Sequence, residues 1–297
     1  MEDILWYLKM NDVEHKENYP LSEISAIRIG GKADLVVYPK NEKELICLVN
    51  RLLEKEIKFK ILGRMSNVLP SDEGYRGVVI RTDKLKEYAI EGEVATVASG
   101  VGIPYLAAKT AELGLSGLEQ LSGIPCSLGG AIFGNAGAFG REIGDLIRSV
   151  RAFSIHEGKI IDFSVEKCIF SYRSSIFKSG EHVILSAVLR FLKSDENTVK
   201  ENIYKYRKMR LDTQPHGLLS LGSTFKRPQG DSAGRMIDEC GLKGYTIGGA
   251  QISEKHAGFI VNIGNASAED YKNLAEYARG AVYQRFGTRL EYEIEEI

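Results

Sequence analysis

The sequence predicts an α+β fold with two lobes, for three reasons. The chain has 297 residues, and a chain of this length typically forms about two domains, each large enough for its own core. Segments with helical periodicity are interspersed with short runs rich in β-branched residues. No internal repeat or low-complexity tract is present. We therefore place a boundary near residue 196, at the start of a charged helix that links the lobes.

Composition and charge indicate a globular protein that acts on small molecules. The apolar fraction is 43% and the formal net charge is −1, which gives no sign of a nucleic-acid surface or a disordered tail. The four cysteines are far apart and form no C-x-x-C motif, which argues against a zinc cluster and a disulfide framework. No apolar run is long enough to span a bilayer, and the N-terminus is acidic where a signal peptide needs a basic start. We expect a cytoplasmic protein, a monomer or weak oligomer, that binds neither nucleic acid nor membrane.

The first lobe starts with elements that follow ordinary helix and strand signals. Residues 2–10 predict a short amphipathic helix, and residues 33–38 predict a strand. Asn41 and Glu44 have capping-box spacing, and apolar residues with helical periodicity follow them. This pattern predicts a helix that starts after Asn41.

Three further strands are predicted in this lobe, at residues 59–62, 78–81 and 94–98. The first of them leads into Gly63-Arg-Met-Ser-Asn67, a sharp turn. Serine and asparagine side chains in such a turn can bond the backbone or a ligand. This turn is therefore one candidate binding loop.

A Gly-x-Gly pair at residues 100–102 stands between a strand and a helix predicted at 104–113. This arrangement resembles part of the dinucleotide fingerprint, but Tyr105 stands where the third glycine is needed. We therefore predict no Rossmann-type site here.

The segment Leu121–Gly140, LSGIPCSLGGAIFGNAGAFG, contains six glycines around one notable polar side chain, Asn135. Such a density of glycine allows a ligand to approach the backbone closely, so that N–H groups become available to an anion. Apolar residues within the segment indicate that it is buried, and its donors then need partners such as a pyrophosphate. The alternative is a glycine-rich connection between two packed elements.

The remaining pattern predicts strands, a charged linking helix and a smaller α+β unit. A long amphipathic helix in that unit is introduced by Ser267. The predicted strands are 150–155, 160–163, 183–191, 259–263 and 289–294, and the predicted helices are 197–208, 234–240 and 268–286.

Two polar clusters lie in contexts that packing does not explain. In Tyr172–Lys178, Arg173 offers a planar fork suited to a carboxylate or phosphate. In Gly222–Pro228, Ser223 follows a glycine and precedes Lys226, so its hydroxyl can face a substrate. Most Gly-Ser pairs are turns, and this alternative stays open.

A third cluster contains Glu291, Glu293 and Glu295, which strand alternation places on one face. Clustered carboxylates can raise one another's pKa for acid catalysis, whereas the alternative is a solvated strand edge. The five histidines have no metal-binding spacing, so we assign no metal. His256 is either a ligand contact or a hydrogen-bonded surface residue.

These clusters occur together and in order in one family, which the chain resembles along almost its whole length. The family is that of the UDP-N-acetylenolpyruvoylglucosamine reductases, flavoproteins of peptidoglycan precursor synthesis, and the short span from Arg173 to Ser223 is similar to its shorter, type II branch. The matching landmarks are Arg28–Gly31, Gly63–Asn67, Gly117–Gly140, Ser171–Lys178, Gly222–Pro228, Gly241–His256 and Leu290–Glu293.

The resemblance implies a fold and a cofactor. The fold would be a two-part FAD-binding region of the vanillyl-alcohol-oxidase type, residues 1–195 with lobes of about 1–82 and 83–195, followed by a substrate-binding domain, residues 196–297. NADPH would be the co-substrate. The implied FAD-binding residues are Gly63, Arg64, Met65, Ser66, Asn67, Gly123, Ile124, Ser127, Gly129, Gly130, Asn135, Ala136 and Gly137.

The resemblance also implies the reaction, reduction of UDP-N-acetylglucosamine enolpyruvate to UDP-N-acetylmuramate. Arg173 would stabilise the developing enolate, Ser223 would protonate it, and Glu293 would assist. The implied substrate-binding residues are Tyr172, Lys226, Gln251 and His256. The alternative is a divergent, non-catalytic paralogue that binds flavin or a sugar nucleotide.

The chain departs from the family pattern at two presumed flavin loops. Met65 and Cys126 stand where glycine is usual. Because a side chain at a glycine position can block close approach of a ligand, we expect Cys126 either to change the loop path or to point its Cβ away from the cofactor.

Overall fold

The computed structural model describes all residues from 1 to 297. None of its helices is long and apolar enough to cross a membrane. The helices are α1 (Glu2–Met10), α2 (Glu42–Glu54), α3 (Ile103–Glu112), α4 (Leu128–Phe133), α5 (Glu196–Thr213), α6 (Ala233–Glu239) and α7 (Ala268–Phe286). The strands are β1 (Glu14–Pro20), β2 (Lys32–Tyr38), β3 (Phe59–Leu62), β4 (Val68–Leu69), β5 (Tyr75–Arg81), β6 (Tyr88–Glu91), β7 (Val94–Ala98), β8 (Leu115–Ser116), β9 (Gly137–Ala138), β10 (Arg141–Glu142), β11 (Ile147–Ser154), β12 (Lys159–Ser164), β13 (His182–Arg190), β14 (Leu192–Lys193), β15 (Leu219–Ser223), β16 (Thr246–Ile247), β17 (Ala250–Ile252), β18 (Phe259–Asn262) and β19 (Glu295–Glu296).

The chain divides into two compact units, each of which is discontinuous in sequence. Unit 1 consists of Met1–Glu17, Leu35–Arg64 and Gly77–Met209, and unit 2 consists of Asn18–Asp34, Met65–Arg76 and Arg210–Ile297. The predicted functional division into residues 1–195 and 196–297 is a separate partition and stays a prediction.

Unit 1 is built around two sheets, with strand orders β1-β2-β5-β3 and β12-β11-β13-β7-β6. Strands β3 and β5 are parallel, whereas the five-stranded sheet is antiparallel. Helix α2 buries an apolar stripe at helical spacing, Leu45, Leu48, Val49 and Leu52. Helices α3 and α4 contribute their apolar faces to the second core of the unit, around the five-stranded sheet.

Unit 2 contains an antiparallel sheet of order β15-β18-β17-β16, the helices α6 and α7, and the parallel pair β19-β4. Helix α7 packs on the sheet through β16 and β17. Its buried residues recur every three or four positions, as expected for an amphipathic helix, at Ala268, Tyr271, Leu274, Ala275, Ala278 and Val282.

The predicted start signals of two helices are confirmed. Asn41 accepts the N–H of Glu44 at 2.9 Å and begins α2. The carboxylate of Glu44, however, accepts the N–H of Lys40 at 2.8 Å, one residue before the capping position. At α7, Ser267 and Asp270 form a complete capping box.

The predicted strand at residues 289–294 is wrong, because regular strand structure is limited to β19 at Glu295–Glu296. Residues 291–293 instead follow the chain just after β15, where Lys226 N–H donates to Glu291 O and Glu293 N–H to Thr224 O, each at 2.9 Å. The alternation of Glu, Tyr and Ile is typical of a strand, but this segment pairs irregularly and changes partner within a few residues.

Candidate functional site

In unit 1, Gly63 lies directly against the glycine-rich segment, residues 121–140. A Cβ at Gly63 would lie 2.2 Å from Ser127 Oγ, so no other residue fits this position without movement. Ser127 is buried and begins α4, where its Oγ accepts the N–H of Gly130 at 3.4 Å. Two of the predicted binding stretches therefore meet in the fold.

The Gly-x-Gly pair that is not a Rossmann motif also borders this segment. Gly129 N–H donates to Ser99 O at 2.8 Å, and Gly102 pairs with Ser127 in an isolated β-bridge. A Cβ on Gly102 would lie 2.5 Å from the guanidinium of Arg64. The sequence predicted no Rossmann-type site at this loop, and residues 99–102 were not among the predicted binding residues although they border the predicted cofactor segment. The only sequence signal was a pair of glycines at the end of a strand.

Several buried donors in this region have no acceptor within the protein. The Oγ of Ser99 is buried and unpartnered. The N–H groups of the buried residues Gly102 and Ser127 donate no hydrogen bond to protein atoms either, and the same holds for the half-buried Gly123. Because buried donors are nearly always paired in folded proteins, this group of donors fits an oxygen-rich ligand such as the pyrophosphate of FAD. Most other N–H groups of the segment are used within the protein, so it offers fewer donors than its glycine content predicts.

Some glycines of the segment are not required by the packing of the protein itself. A Cβ on Gly130 would meet only Ser127 Oγ, at 3.5 Å, and a Cβ on Gly134 would meet only Gly130 O, at 3.9 Å. Glycine at such roomy positions fits a surface that a ligand approaches closely. Ile124 and Ala136, by contrast, pack against the core of unit 1.

Asn135 links the glycine-rich segment to the turn that carries Arg173. Its amide donates to Glu142 Oε2 at 2.7 Å and to Ser171 O at 3.0 Å, and its Oδ1 accepts the N–H of Gly144 at 3.1 Å. Asn135 is 1% exposed. Its side chain thus holds three segments of unit 1 together by hydrogen bonds, a role that spacing in the sequence did not predict.

Arg173 stands at the tip of a tight turn closed by the backbone of Ser171 and Ser174. Its φ of +56° is left-handed, which is uncommon for a residue with a side chain. The guanidinium donates to Gly137 O at 3.3 Å and lies 5.1 Å from the ring of Tyr172, which is exposed. Unit 1 therefore brings the predicted cation against the predicted cofactor segment.

The two residues at usual glycine positions are both buried. Met65 belongs to unit 2, and its φ of +52° explains why glycine suits this position. Cys126 is 8% exposed and packs in the apolar core of unit 1. The expectation that its Cβ points away from the cofactor stays a prediction.

In unit 2, Ser223 lies at the end of β15 opposite Phe259, after an irregularity in the strand pairing. Gly222 has a φ of +82° at this irregularity. The next residue, Thr224, is fully buried and its hydroxyl bonds the hydroxyl of Tyr271 at 2.9 Å. The alternative interpretation of the Gly-Ser pair as a turn is therefore wrong, because both residues belong to β15 and lie at a bulge in its pairing.

The predicted serine and glutamate clusters of unit 2 lie next to each other. Thr224 accepts the N–H of Glu293, so Ser223 directly precedes a residue paired with Glu293. Lys226 Nζ and Glu291 Oε2 form an ion pair at 3.1 Å. The substrate-binding role of Lys226 stays a prediction.

The turn residues Ser66 and Asn67 also belong to unit 2. Both are half-buried. The amide of Asn67 donates to Glu293 O at 2.9 Å. The side chain of Asn67 is therefore engaged with the C-terminal segment, a contact that the turn motif did not predict.

The surroundings of His256 favour the neutral form of its ring. Gly258 N–H donates to its Nδ1 at 3.1 Å, and burial lowers the pKa of the imidazole. The neutral ring therefore carries its proton on Nε2. Gln251, the other predicted substrate residue of this region, donates to Gly244 O and Thr246 Oγ1 at 3.3 and 3.2 Å.

Comparison with known proteins agrees with this arrangement. An FAD-binding domain model matches residues 33–164, and a model of the C-terminal domain of UDP-N-acetylenolpyruvoylglucosamine reductase matches residues 214–297. The reductase of Caldicellulosiruptor bescii is 41% identical over 292 residues, which are 97% of this chain and 92% of that protein. The reductase of Clostridioides difficile is 40% identical over 293 residues, which are 98% and 95%.

Solved structures extend the agreement to the fold. The crystal structure of UDP-N-acetylenolpyruvylglucosamine reductase from Thermus caldophilus matches with a TM-score of 0.81 at 33% identity, over 96% of this chain and 98% of that chain. An alkyldihydroxyacetonephosphate synthase matches with a TM-score of 0.51 at 15% identity, over 65% and 40%, which is a likeness of fold alone. The predicted α+β fold, with an FAD-binding region of the vanillyl-alcohol-oxidase type, is confirmed. The chain belongs to the UDP-N-acetylenolpyruvoylglucosamine reductase family and is an FAD-dependent oxidoreductase of peptidoglycan precursor synthesis.

Proposed function

We propose that this chain uses NADPH and bound FAD to reduce the enolpyruvyl group of UDP-N-acetylglucosamine enolpyruvate, giving UDP-N-acetylmuramate. The observation that carries the proposal is the group of unpartnered buried donors around the glycine-rich segment, with Arg64 beside it. These donors suit a pyrophosphate. The names of the relatives indicate the substrate.

The residues that would hold FAD come from the turn and the glycine-rich segment. Donors for its pyrophosphate would come from Ser99, Gly102, Gly123 and Ser127, and Arg64 would add a positive charge. When bound, FAD accepts a hydride from one substrate and passes it to another. The protein's task is to bind and orient both substrates and to manage charge and a proton.

Adding a hydride to the enolpyruvyl double bond creates negative charge that spreads into the adjacent carboxylate. Arg173 would counter this charge with its guanidinium, which the turn of residues 171–174 holds in place. Ser223 would donate its Oγ proton to the carbanionic carbon, with Glu293 assisting. A serine hydroxyl is a weak acid in water, so it needs the fixed position that the Thr224–Tyr271 hydrogen bond gives its neighbour.

Four side chains would recognise the substrate, as the family resemblance implies. Tyr172 presents an exposed aromatic face, and His256 offers an N–H at Nε2 that does not depend on pH near neutrality. Lys226 would add positive charge for the nucleotide phosphates, and Gln251 has a free amide oxygen for a hydrogen bond.

The direct test is the flavin spectrum and turnover of the purified protein. We expect FAD to co-purify or bind on addition, NADPH to bleach the flavin absorbance, and the enolpyruvyl sugar nucleotide to restore it with formation of the lactyl ether product. A protein that binds FAD but does not turn over this substrate would contradict the proposal and favour a non-catalytic paralogue. Failure to bind FAD at any concentration would contradict the assignment of the cofactor site.

A further inference from the structure

We propose that Asn67 is a positioning residue for Glu293. Its side-chain amide orients Glu293 rather than the cofactor. The inference rests on the proposed function, in which Glu293 assists proton donation. It goes beyond the binding role that the turn motif suggests for Asn67. All the contacts that carry it lie within unit 2.

The first observation is a double link between Asn67 and the C-terminal segment. Asn67 Nδ2 donates to Glu293 O at 2.9 Å, and Asn67 O accepts the N–H of Glu295 at 2.9 Å. The β4-β19 pairing begins one residue later, with Val68 opposite Glu295. The side chain of Asn67 therefore supplies a hydrogen bond at the point where the backbone ladder between the two strands stops.

The second observation is what holds the other side of Glu293. Its N–H donates to Thr224 O at 2.9 Å, and Thr224 is itself fixed by the buried bond between its hydroxyl and that of Tyr271. Asn67 and Thr224 thus fix the carbonyl and the N–H of one residue. Because Thr224 directly follows Ser223, these two bonds together set where Glu293 stands relative to the proposed proton donor.

Loss of the Asn67 side chain should displace Glu293 without unfolding the protein. The backbone pairing of β4 with β19 would survive in an Asn67 variant, because it does not use the side chain. A displacement of a catalytic group by about 1 Å can reduce a rate by roughly 10²-fold. A slow reaction in a folded protein is therefore the expected result.

A double-mutant cycle tests this with Asn67→Ala, Glu293→Gln and the combination. The measurements are FAD affinity and the rates of the NADPH-driven and substrate-driven half-reactions by stopped flow. We expect Asn67→Ala to slow the substrate-driven half-reaction by about 10–100-fold, with the NADPH-driven half-reaction and FAD affinity nearly unchanged. In the Glu293→Gln background, Asn67→Ala should cause no further loss.

Two further variants make the comparison specific. Asn67→Asp keeps the size of the side chain and removes the donor, so it should behave as Asn67→Ala does. Val68→Ala changes the neighbouring side chain and leaves the Asn67 amide in place, so both half-reactions should match the wild type. A slower substrate-driven half-reaction in Asn67→Ala, together with an unchanged rate in Asn67→Asp, would overturn the proposal.

The outcomes separate the positioning role from its rivals. Multiplicative losses in the double variant, or weaker FAD binding with both half-reactions slowed alike, would overturn the proposal and make Asn67 a cofactor contact. If Glu293→Gln alone leaves the substrate-driven half-reaction unchanged, the role of Glu293 is refuted and the positioning role with it. Failure of the proposed role of Glu293 is thus visible in the Glu293→Gln variant alone, whereas failure of the positioning role is visible only in the Asn67 variants.

Discussion

At the scale of single residues, the chemistry depends most on Ser223. If it supplies the proton, Ser223→Ala should slow the substrate-driven half-reaction by roughly 10²–10⁴-fold, the usual contribution of a general acid. The NADPH-driven half-reaction needs no such proton and should stay nearly intact. Stopped-flow absorbance of the two half-reactions measures this. Equal slowing of both half-reactions would instead indicate a purely structural residue.

Ser99 offers a test of the cofactor site that does not depend on turnover. Its buried hydroxyl lacks a protein partner, and such a group destabilises the apo protein but can stabilise bound FAD. Ser99→Ala should therefore leave the thermal midpoint of the apo protein unchanged or raise it, and should weaken FAD binding by about 2–12-fold, the equivalent of one hydrogen bond.

Ser25→Ala is the matched control for apo stability, because Ser25 Oγ is also buried without a partner. Its effect on the thermal midpoint shows what the removal of such a hydroxyl does by itself. Titration of apo protein with FAD, followed by flavin fluorescence, gives the affinity of the Ser99 variant. Unchanged FAD affinity in Ser99→Ala would remove this residue from the site.

The burial of His256 makes a prediction about pH. Burial lowers the pKa of its imidazole in the folded protein, while the unfolded value is about 6.5. Below pH 6.5 the unfolded chain takes up a proton that the folded protein does not, so the free energy of unfolding should decrease as pH falls through this range. Lys243, which also lowers this pKa, and Asp238, which raises it, are the neighbouring charges.

His256→Gln should lose this part of the pH dependence. The measurement is the urea unfolding midpoint of both proteins between about pH 5 and pH 7.5. Parallel pH profiles for the wild type and the variant would show that other groups cause the loss of stability in acid.

At the scale of elements, two sets of contacts anchor the N-terminus of α7. Besides its own capping box, the helix donates Ala268 N–H and Glu269 N–H to the two carboxylate oxygens of Asp72, at 2.8 and 3.0 Å. A carboxylate at this position satisfies two free donors and interacts favourably with the helix dipole. Asp72 thereby ties residues 65–76 to the main helix of unit 2.

Asp72→Ala should lower the free energy of unfolding by about 0.5–2 kcal/mol, the range for loss of a helix cap. Asp72→Asn should lose less, because its amide oxygen still accepts one bond. Urea unfolding curves give both values, and Glu73→Ala, at an exposed neighbour, is the control. Equal stability of the Asp72→Ala and Glu73→Ala proteins would refute the capping role.

Local signals explain which elements the sequence could predict. Helices α2 and α7 have both an apolar stripe and a capping residue, so their starts were correctly predicted from a few neighbouring positions. The strand predicted at 289–294 failed because its pairing depends on Thr224, far away in sequence. Alternation reports which side chains face a core, and it does not report whether a regular partner strand exists.

At the scale of the whole molecule, local signals could again be predicted for the candidate site, whereas contacts between residues far apart in sequence could not. Glycine density and turn residues made 63–67 and 121–140 the predicted cofactor loops, and the structure brings Gly63 of the first against Ser127 of the second. The tasks of Asn135 and Asn67 could not be predicted, since each depends on carbonyl groups brought near only by folding. The discontinuous make-up of both units was hidden for the same reason.

The contacts that complete unit 2 have a consequence for biosynthesis. Asn67 bonds Glu293 across 226 positions, and Ser71 N–H donates to Ile297 O. These two hydrogen bonds can therefore form only after residues 293–297 have left the ribosomal exit tunnel, whereas Gly77–Met209 of unit 1 is available earlier. Because synthesis proceeds at about 5–20 residues per second, the early segment waits for roughly ten seconds or more. During that interval Leu69 lacks Leu290 and Ile294, later members of the core that it joins, and we expect incompletely buried apolar surface that a chaperone can bind.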